Sequence, residues 1–240
     1  IKKSYWNRNC GLESKKIFGM ETRFRVLPRC YGQYYVLDER VTTAEIEEIC
    51  VASNTLTFSD YLLARRFHLV VTIYYNDGIF AVLLKFLRAI GVPIYSWMEL
   101  LANRPMPGKL SKLFESFDEA TRNELWINRE ELQEFIQKPG IVDKFIAGEL
   151  GNNLLFVYKT LGITENLVEL AEFANSTIRE HLELQGENYG EYEIFIKDAI
   201  NYHCTRALNI FSSMDQTPTA VLSYDIAAFH NSHRNADFRE

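Results

Sequence analysis

Arginine recurs at Arg23, Arg25 and Arg29 within an alternating stretch, Thr22-Arg23-Phe24-Arg25-Val26-Leu27-Pro28-Arg29. Residues two apart on a strand share a face, so Arg23 and Arg25 stand together and can present guanidinium forks to a carboxylate or a phosphate. Alternating arginine is also what an ordinary solvent-facing strand edge looks like, and both readings stand. A second polar insertion, Arg65-Arg66-Phe67-His68, interrupts an otherwise apolar helical pattern. Buried polar groups need partners, here either the acidic strand residues Glu45, Glu47 or Glu48 or a bound anion or cofactor.

The remaining chemistry-bearing residues do not converge. The other histidines are His181, His203, His230 and His233, and none forms a metal pair of the H-E-x-x-H kind. His203, beside Cys204, reads as a core residue, whereas His230 and His233 read as a solvated tail rather than a ligand pair. Cys10, Cys30, Cys50 and Cys204 lack C-x-x-C spacing and read as reduced thiols. Glu169, Glu172 and Glu180 read as helix surface, and no nucleophile elbow, phosphate-binding loop or dinucleotide fingerprint is present.

The elements that must position these residues divide into strands, then helices. Thr22–Leu27 and Glu45–Val51 predict an antiparallel pair, with Pro28, Gly32, Asp38 and the tyrosines Tyr31, Tyr34 and Tyr35 between them. Thr57 with Asp60 predicts a capping box, with Leu56 and Tyr61 at staple positions, opening a helix that runs to Tyr75. Asn76-Asp77-Gly78 breaks the chain, Ile79–Ile90 forms a second apolar helix, and Gly91 with Pro93 stops it. Pro105–Gly108 is a loop, and further helices are predicted at 110–121, 129–137, 141–160, 165–184 and 190–212. Their separators are Pro139-Gly140, Gly162 with Thr164 as a cap, and Gly186. Val221, Leu222, Tyr224 and Ile226 predict a short extended segment after Pro218, and the chain from Asn231 reads as frayed.

The expected class is therefore α+β, mainly α: an N-terminal antiparallel β-ribbon followed by a helical bundle. Residues 1–54 form the ribbon and linker, 55–104 an apolar helical hairpin, and 105–240 the bundle with its extended segment. At 240 residues and 47% apolar content the chain can bury a sizeable core. Its net charge of −6 and pI near 5.5 argue against nucleic acid as a partner. No apolar run reaches the roughly 20 residues of a membrane span, and the expected location is cytoplasmic.

Four stretches carry a resemblance. They are Thr22–Arg29, Ser53-Asn54-Thr55-Leu56-Thr57-Phe58-Ser59-Asp60-Tyr61, Arg66-Phe67-His68-Leu69 and Ile73-Tyr74-Tyr75-Asn76. With Gly151-Asn152-Asn153-Leu154-Leu155, Tyr158-Lys159 and Tyr224-Asp225-Ile226, they resemble the region that follows the barrel in cobalamin-binding-domain radical SAM proteins. The resemblance implies the C-terminal part of a larger enzyme, inactive alone, whose partner is the upstream barrel of its own chain. A [4Fe-4S] cluster and S-adenosylmethionine, with cobalamin as a further candidate, are implied for the full-length protein and none for this segment. Methylation of an unreactive carbon and modification of a surface sugar are the reactions it suggests, on an unknown substrate. In that setting Arg23, Arg25, Arg29 and His68 are expected on the face turned to the barrel. The competing expectation is a free-standing module whose apolar helices 58–90 bind a partner protein.

Overall fold

In the computed structural model the described residues are 6–211 and 219–232, with side chains over 11–207 and 219–232. They form two compact units, residues 1–65 with 116–157 and residues 66–115 with 158–240. The architecture is the expected α+β, mainly helical one, with the antiparallel ribbon N-terminal to the helices.

The first unit is built on the ribbon. Strands β1 (Glu21–Val36) and β2 (Glu39–Ala52) pair from Glu21 opposite Ala52 to Val36 opposite Glu39, well beyond the two short alternating stretches. The connection is the pair Leu37 and Asp38, both at positive φ (50° and 69°), as a two-residue type I′ hairpin turn requires. Residues 27–30 interrupt the ladder, because the register jumps between Val26 and Tyr31. Pro28 has no N–H to donate to a partner strand, so a bulge is where it is tolerated.

A two-stranded hairpin is marginal by itself, and this one is packed at its root. Val26 buries against Leu132 and Ile136 of α6 (Arg129–Gln137) and against Val142 and Phe145 of α7 (Ile141–Ile146). Phe24, Tyr31, Ala44 and Ile46 join from the same ribbon face, and Trp126 bridges Phe24 through two backbone hydrogen bonds of 2.9 and 2.7 Å. A helix that was not expected, α1 (Trp6–Phe18), precedes the ribbon. Its end is held by Asn54, whose backbone N–H donates to the Phe18 carbonyl at 2.8 Å and whose side chain donates to the Ile17 carbonyl.

The expected capping box opens α2 (Phe58–Val71): the Asp60 N–H donates to Thr57 Oγ1 at 3.1 Å, and the Thr57 N–H to Asp60 Oδ2 at 2.8 Å. The helix continues to Asn76 through a π turn at Thr72–Asn76, close to the expected end. Then α3 (Ala81–Ala89) closes with a Schellman cap, Gly91 at φ 79° and the Val92 N–H donating to the Leu87 carbonyl at 2.8 Å.

Helix α4 (Ile94–Asn103) was not foreseen; Pro93, read as a stop, is also its N-cap. Helix α5 (Gly108–Asn123) and α6 lie at the expected places. The helix expected over 141–160 is instead α7 and α8 (Leu154–Glu165), parted where Gly148 and Gly151 adopt positive φ. Gly162 is not a break. It lies buried inside α8, where a Cβ would come within 3.4–3.6 Å of Leu170, Leu113 and Ile73, and Thr164 donates back to the Thr160 carbonyl rather than capping.

Helices α9 (Leu167–Leu184) and α10 (Glu193–Phe211) follow on either side of Gly186. Ile226 opens a final helix, α11 (Ile226–Asn231), capped by Asp225 Oδ1 accepting from the Ala228 N–H, where an extended segment was expected.

The second unit buries Leu69 at the end of α2, Ile73 and Tyr74 of the π turn, and Leu83, Phe86 and Leu87 of α3. Those side chains are interior, whereas Leu63 and Tyr75 of the same stretch, 58–90, are exposed. Tyr74 donates to the Leu170 carbonyl at 3.0 Å, and the Trp97 indole N–H to Thr177 Oγ1 at 3.1 Å, so the buried aromatics are anchored at their polar ends. Among the described residues no single helix is long and apolar enough to cross a membrane.

His203 lies in the core as expected, edge-on to Phe80, and neither ring nitrogen has a hydrogen-bond partner among the described residues. His230 does not sit in a solvated tail: its Nδ1 lies 3.1 Å from the Tyr202 hydroxyl and 3.0 Å from an Arg206 nitrogen. Arginine only donates, so this nitrogen accepts and the neutral ring carries its proton on Nε2. Of the end expected to fray from Asn231, Asn231 itself closes α11, and His233 onward lies outside the described residues.

Burial, with His230 and Arg206 adding to it, pulls the His203 pKa down from 6.5 to about 3. The unfolded chain therefore takes up this proton more readily than the folded one, and stability is lost as pH falls from 6.5 towards 3. His203→Phe is expected to remove that dependence. Its stability relative to the parent should rise by about 1.4 kcal/mol per pH unit inside the window. Urea unfolding at pH 7, 5.5 and 4.5 checks it, and parallel profiles for the two proteins refute it.

Candidate functional site

The arginines of β1 diverge. Arg23 and Arg25 share the ribbon face opposite Phe24 and Val26, facing Ile49 and Glu47 across the ladder, as their alternation demands. Arg23 lies 5.8 Å over the Phe58 ring. Arg29 falls in the bulge at φ 67°, leaves the alternation, and lies exposed 5.7 Å over the Phe156 ring.

Arg25 is the member that meets charge. Its Nε donates to Glu47 Oε1 and its Nη1 to Glu124 Oε1, both at 2.6 Å. Arg65 stands 3.8 Å from the same Glu124 oxygen. The carboxylate partner of the α2 arginine is thus Glu124, after α5, and not the strand acids: Glu47 is taken by Arg25, and Glu48 by Lys15 and the Thr22 hydroxyl. Arg66 lies 5.4 Å over the Phe114 ring. His68, in the second unit, is exposed on α2, and its carbonyl accepts from Thr72 Oγ1 at 2.7 Å.

The charges sit in partly buried surroundings. Burial works against the Arg25 guanidinium, but Glu124 and Glu47 outweigh it and raise its pKa. Burial pushes the Glu124 carboxyl above the usual range, against the pull of Arg25 and Arg65. The asymmetry follows from the contacts: Arg25 has two close carboxylates, whereas Glu124 has one close guanidinium and a second at 3.8 Å. The Tyr61 phenol, raised by burial, feels the same four charges.

Arg25 and Glu124 form the polar end of a cavity of about 200 Å³ at the ribbon root. Its apolar walls are Val26, Trp126, Leu132, Phe135, Phe145 and Leu150, and Asn123, Gly151 and Asn152 complete the rim. Gly151, at φ 67°, holds its place because a Cβ would collide with the Phe145 ring. Of the four sequence candidates only Arg25 lines this cavity. Glu124 and Trp126 were missed; the available signal was the short run Glu124-Leu125-Trp126-Ile127 between two well-marked helices.

The three described cysteine side chains do not form an iron–sulfur site. Cys30 is in the bulge, the Cys50 thiol donates to the Ala52 carbonyl at 3.2 Å, and burial pushes the Cys204 thiol up, away from the thiolate that a cluster needs. Among the described residues no three or more His, Cys, Asp or Glu side chains converge to hold a metal ion. Sites for drug-sized ligands measure roughly 300–1,000 Å³, and this cavity, at about 200 Å³, lies below that range.

Arg25→Met leaves Glu124 part-buried with only the distant Arg65, and is expected to cost about 3 kcal/mol in chemical denaturation. Adding Glu124→Gln should cost less than the sum of the single changes, and additivity would show that the two are not coupled. Gly151→Ala meets both a disfavoured φ and the Phe145 ring, and is expected to lose about 1–3 kcal/mol by the same measurement; an unchanged midpoint would refute the close packing. No family model, curated protein or solved structure matches the chain.

Proposed function

We propose that this chain is the C-terminal, substrate-side region of a cobalamin-binding-domain radical SAM protein. In this reading it is inactive alone and works in the cytoplasm beside the upstream barrel of its own polypeptide. The supporting observation is convergence: Arg25 and Pro28, from one stretch that carries the resemblance, and Gly151 and Asn152, from another, line the same cavity. The two stretches are separated by more than a hundred residues, and the fold brings them to one small concave surface.

The chain's own residues would orient and dry a part of the substrate. The aromatic and aliphatic walls exclude water, and the Arg25–Glu124 pair supplies directional contacts at one end. Cluster binding and S-adenosylmethionine cleavage belong, in this reading, to the upstream part of the polypeptide. For the second reading, a free-standing interaction module, the stretch 58–90 exposes Leu63 and Tyr75, while Leu69, Ile73, Tyr74, Leu83, Phe86 and Leu87 are interior.

The test begins with the native polypeptide, detected in lysate of its own cell by an antibody against this chain. A mass more than twice 27.9 kDa is expected. The anaerobically purified protein, given reductant, should form 5′-deoxyadenosine from S-adenosylmethionine. A native chain of 27.9 kDa that forms none would overturn the proposal.

A further inference from the structure

The cavity's chemistry narrows what it takes. We propose that it accepts a small neutral molecule: one apolar ring or short chain, with a head group that both donates and accepts hydrogen bonds. This rests on the substrate-side reading and adds the ligand class to it.

Three observations carry the inference. The first is size, because about 200 Å³ lies below the range of drug-sized sites and holds roughly one ring. The second is unused hydrogen-bonding capacity. Arg25 spends Nε on Glu47 and Nη1 on Glu124, and its Nη2 has no partner among the described residues. Glu124 receives both arginines on Oε1, and its Oε2 is likewise without a partner among the described residues. Both side chains line the cavity, so its polar end is built from a guanidinium and a carboxylate that each keep a nitrogen or oxygen without a partner among the described residues.

The third is charge. Arg25 and Arg65 are balanced by Glu47 and Glu124, so the network is neutral before anything binds. An anionic head engaging Arg25 would stand beside the Glu124 carboxylate, and a cationic head engaging Glu124 beside the Arg25 guanidinium. Either leaves a charge uncompensated in a partly buried place, whereas an amide or comparable neutral head meets both free groups. The arginine of β1 therefore does not mark a phosphate or carboxylate site; its charge is already spent.

Benzamide, benzoate and benzylammonium share a ring and differ in the charge of the head. Each would be titrated into the full chain while the Trp126 indole N–H signal, assigned with Trp126→Phe, is followed by NMR, since Trp126 forms a wall. Benzamide is expected to move that signal with an affinity at least about tenfold above the other two. Glu124→Gln leaves one net positive charge and should reverse the order of benzamide and benzoate. Benzoate or benzylammonium matching benzamide on the unaltered chain would overturn the head-group assignment. A Trp126 signal that none of the three moves would overturn the cavity as a site for this class of molecule. Neither result bears on native mass or S-adenosylmethionine cleavage, so failure here is distinct from failure of the radical SAM reading.

Discussion

A two-stranded ribbon has two faces and no interior, and the first unit is arranged around that constraint. One face at the root offers Phe24, Val26, Tyr31 and Ile46, and the short helices α6 and α7 close over it. The other face carries Arg25 and Glu47 opposite one another, a pair that meets the low dielectric of a packed site only with further compensation. Glu124 supplies it from the segment after α5, and the backbone bridge between Phe24 and Trp126, two residues on, fixes that segment to the strand. Apolar cover and charge balance thus reach the ribbon through neighbouring residues of one segment.

The cavity is a by-product of the same arrangement. Helices α6 and α7 cover the ribbon root without filling it, and Gly151 lets the chain turn close to the Phe145 ring before α8 begins. The pocket is apolar because it is the margin of a core, and polar at one end because the ion pair stands where that core stops. Its chemistry is inherited from the packing, which ties any loss of the ion pair to both shape and recognition.

Much of this was legible in the sequence, and what was not has identifiable causes. The capping box at Thr57 and Asp60, the Schellman stop at Gly91 and helix α6 depend on local chemistry, and local chemistry is written in adjacent residues. Helix α4 was hidden because Pro93 reads as a terminator, although an N-cap position requires nothing of its N–H. Gly162 was misread as a break because a glycine inside a helix is explained only by what packs against it, here Leu170, Leu113 and Ile73. Arg25 was visible as a candidate, but its role was set by Glu124, about a hundred residues away, and no periodicity links the two. The environment of His68 was hidden in the same way: Phe67 and Leu69 beside it are apolar, yet its own helix position is exposed.

The first unit is also discontinuous along the chain, and this sets a timetable for its assembly. The ribbon leaves the ribosome before its cover, because Phe145, which packs at its root, is made more than a hundred residues after Val26. At about 5–20 residues per second that interval is on the order of 5–25 s. During it the apolar root and both strand edges are exposed to other nascent chains, while the intervening segment of the second unit is itself incomplete. The exposure of the apolar root is therefore concentrated in synthesis, and it falls when the residues that cover it emerge.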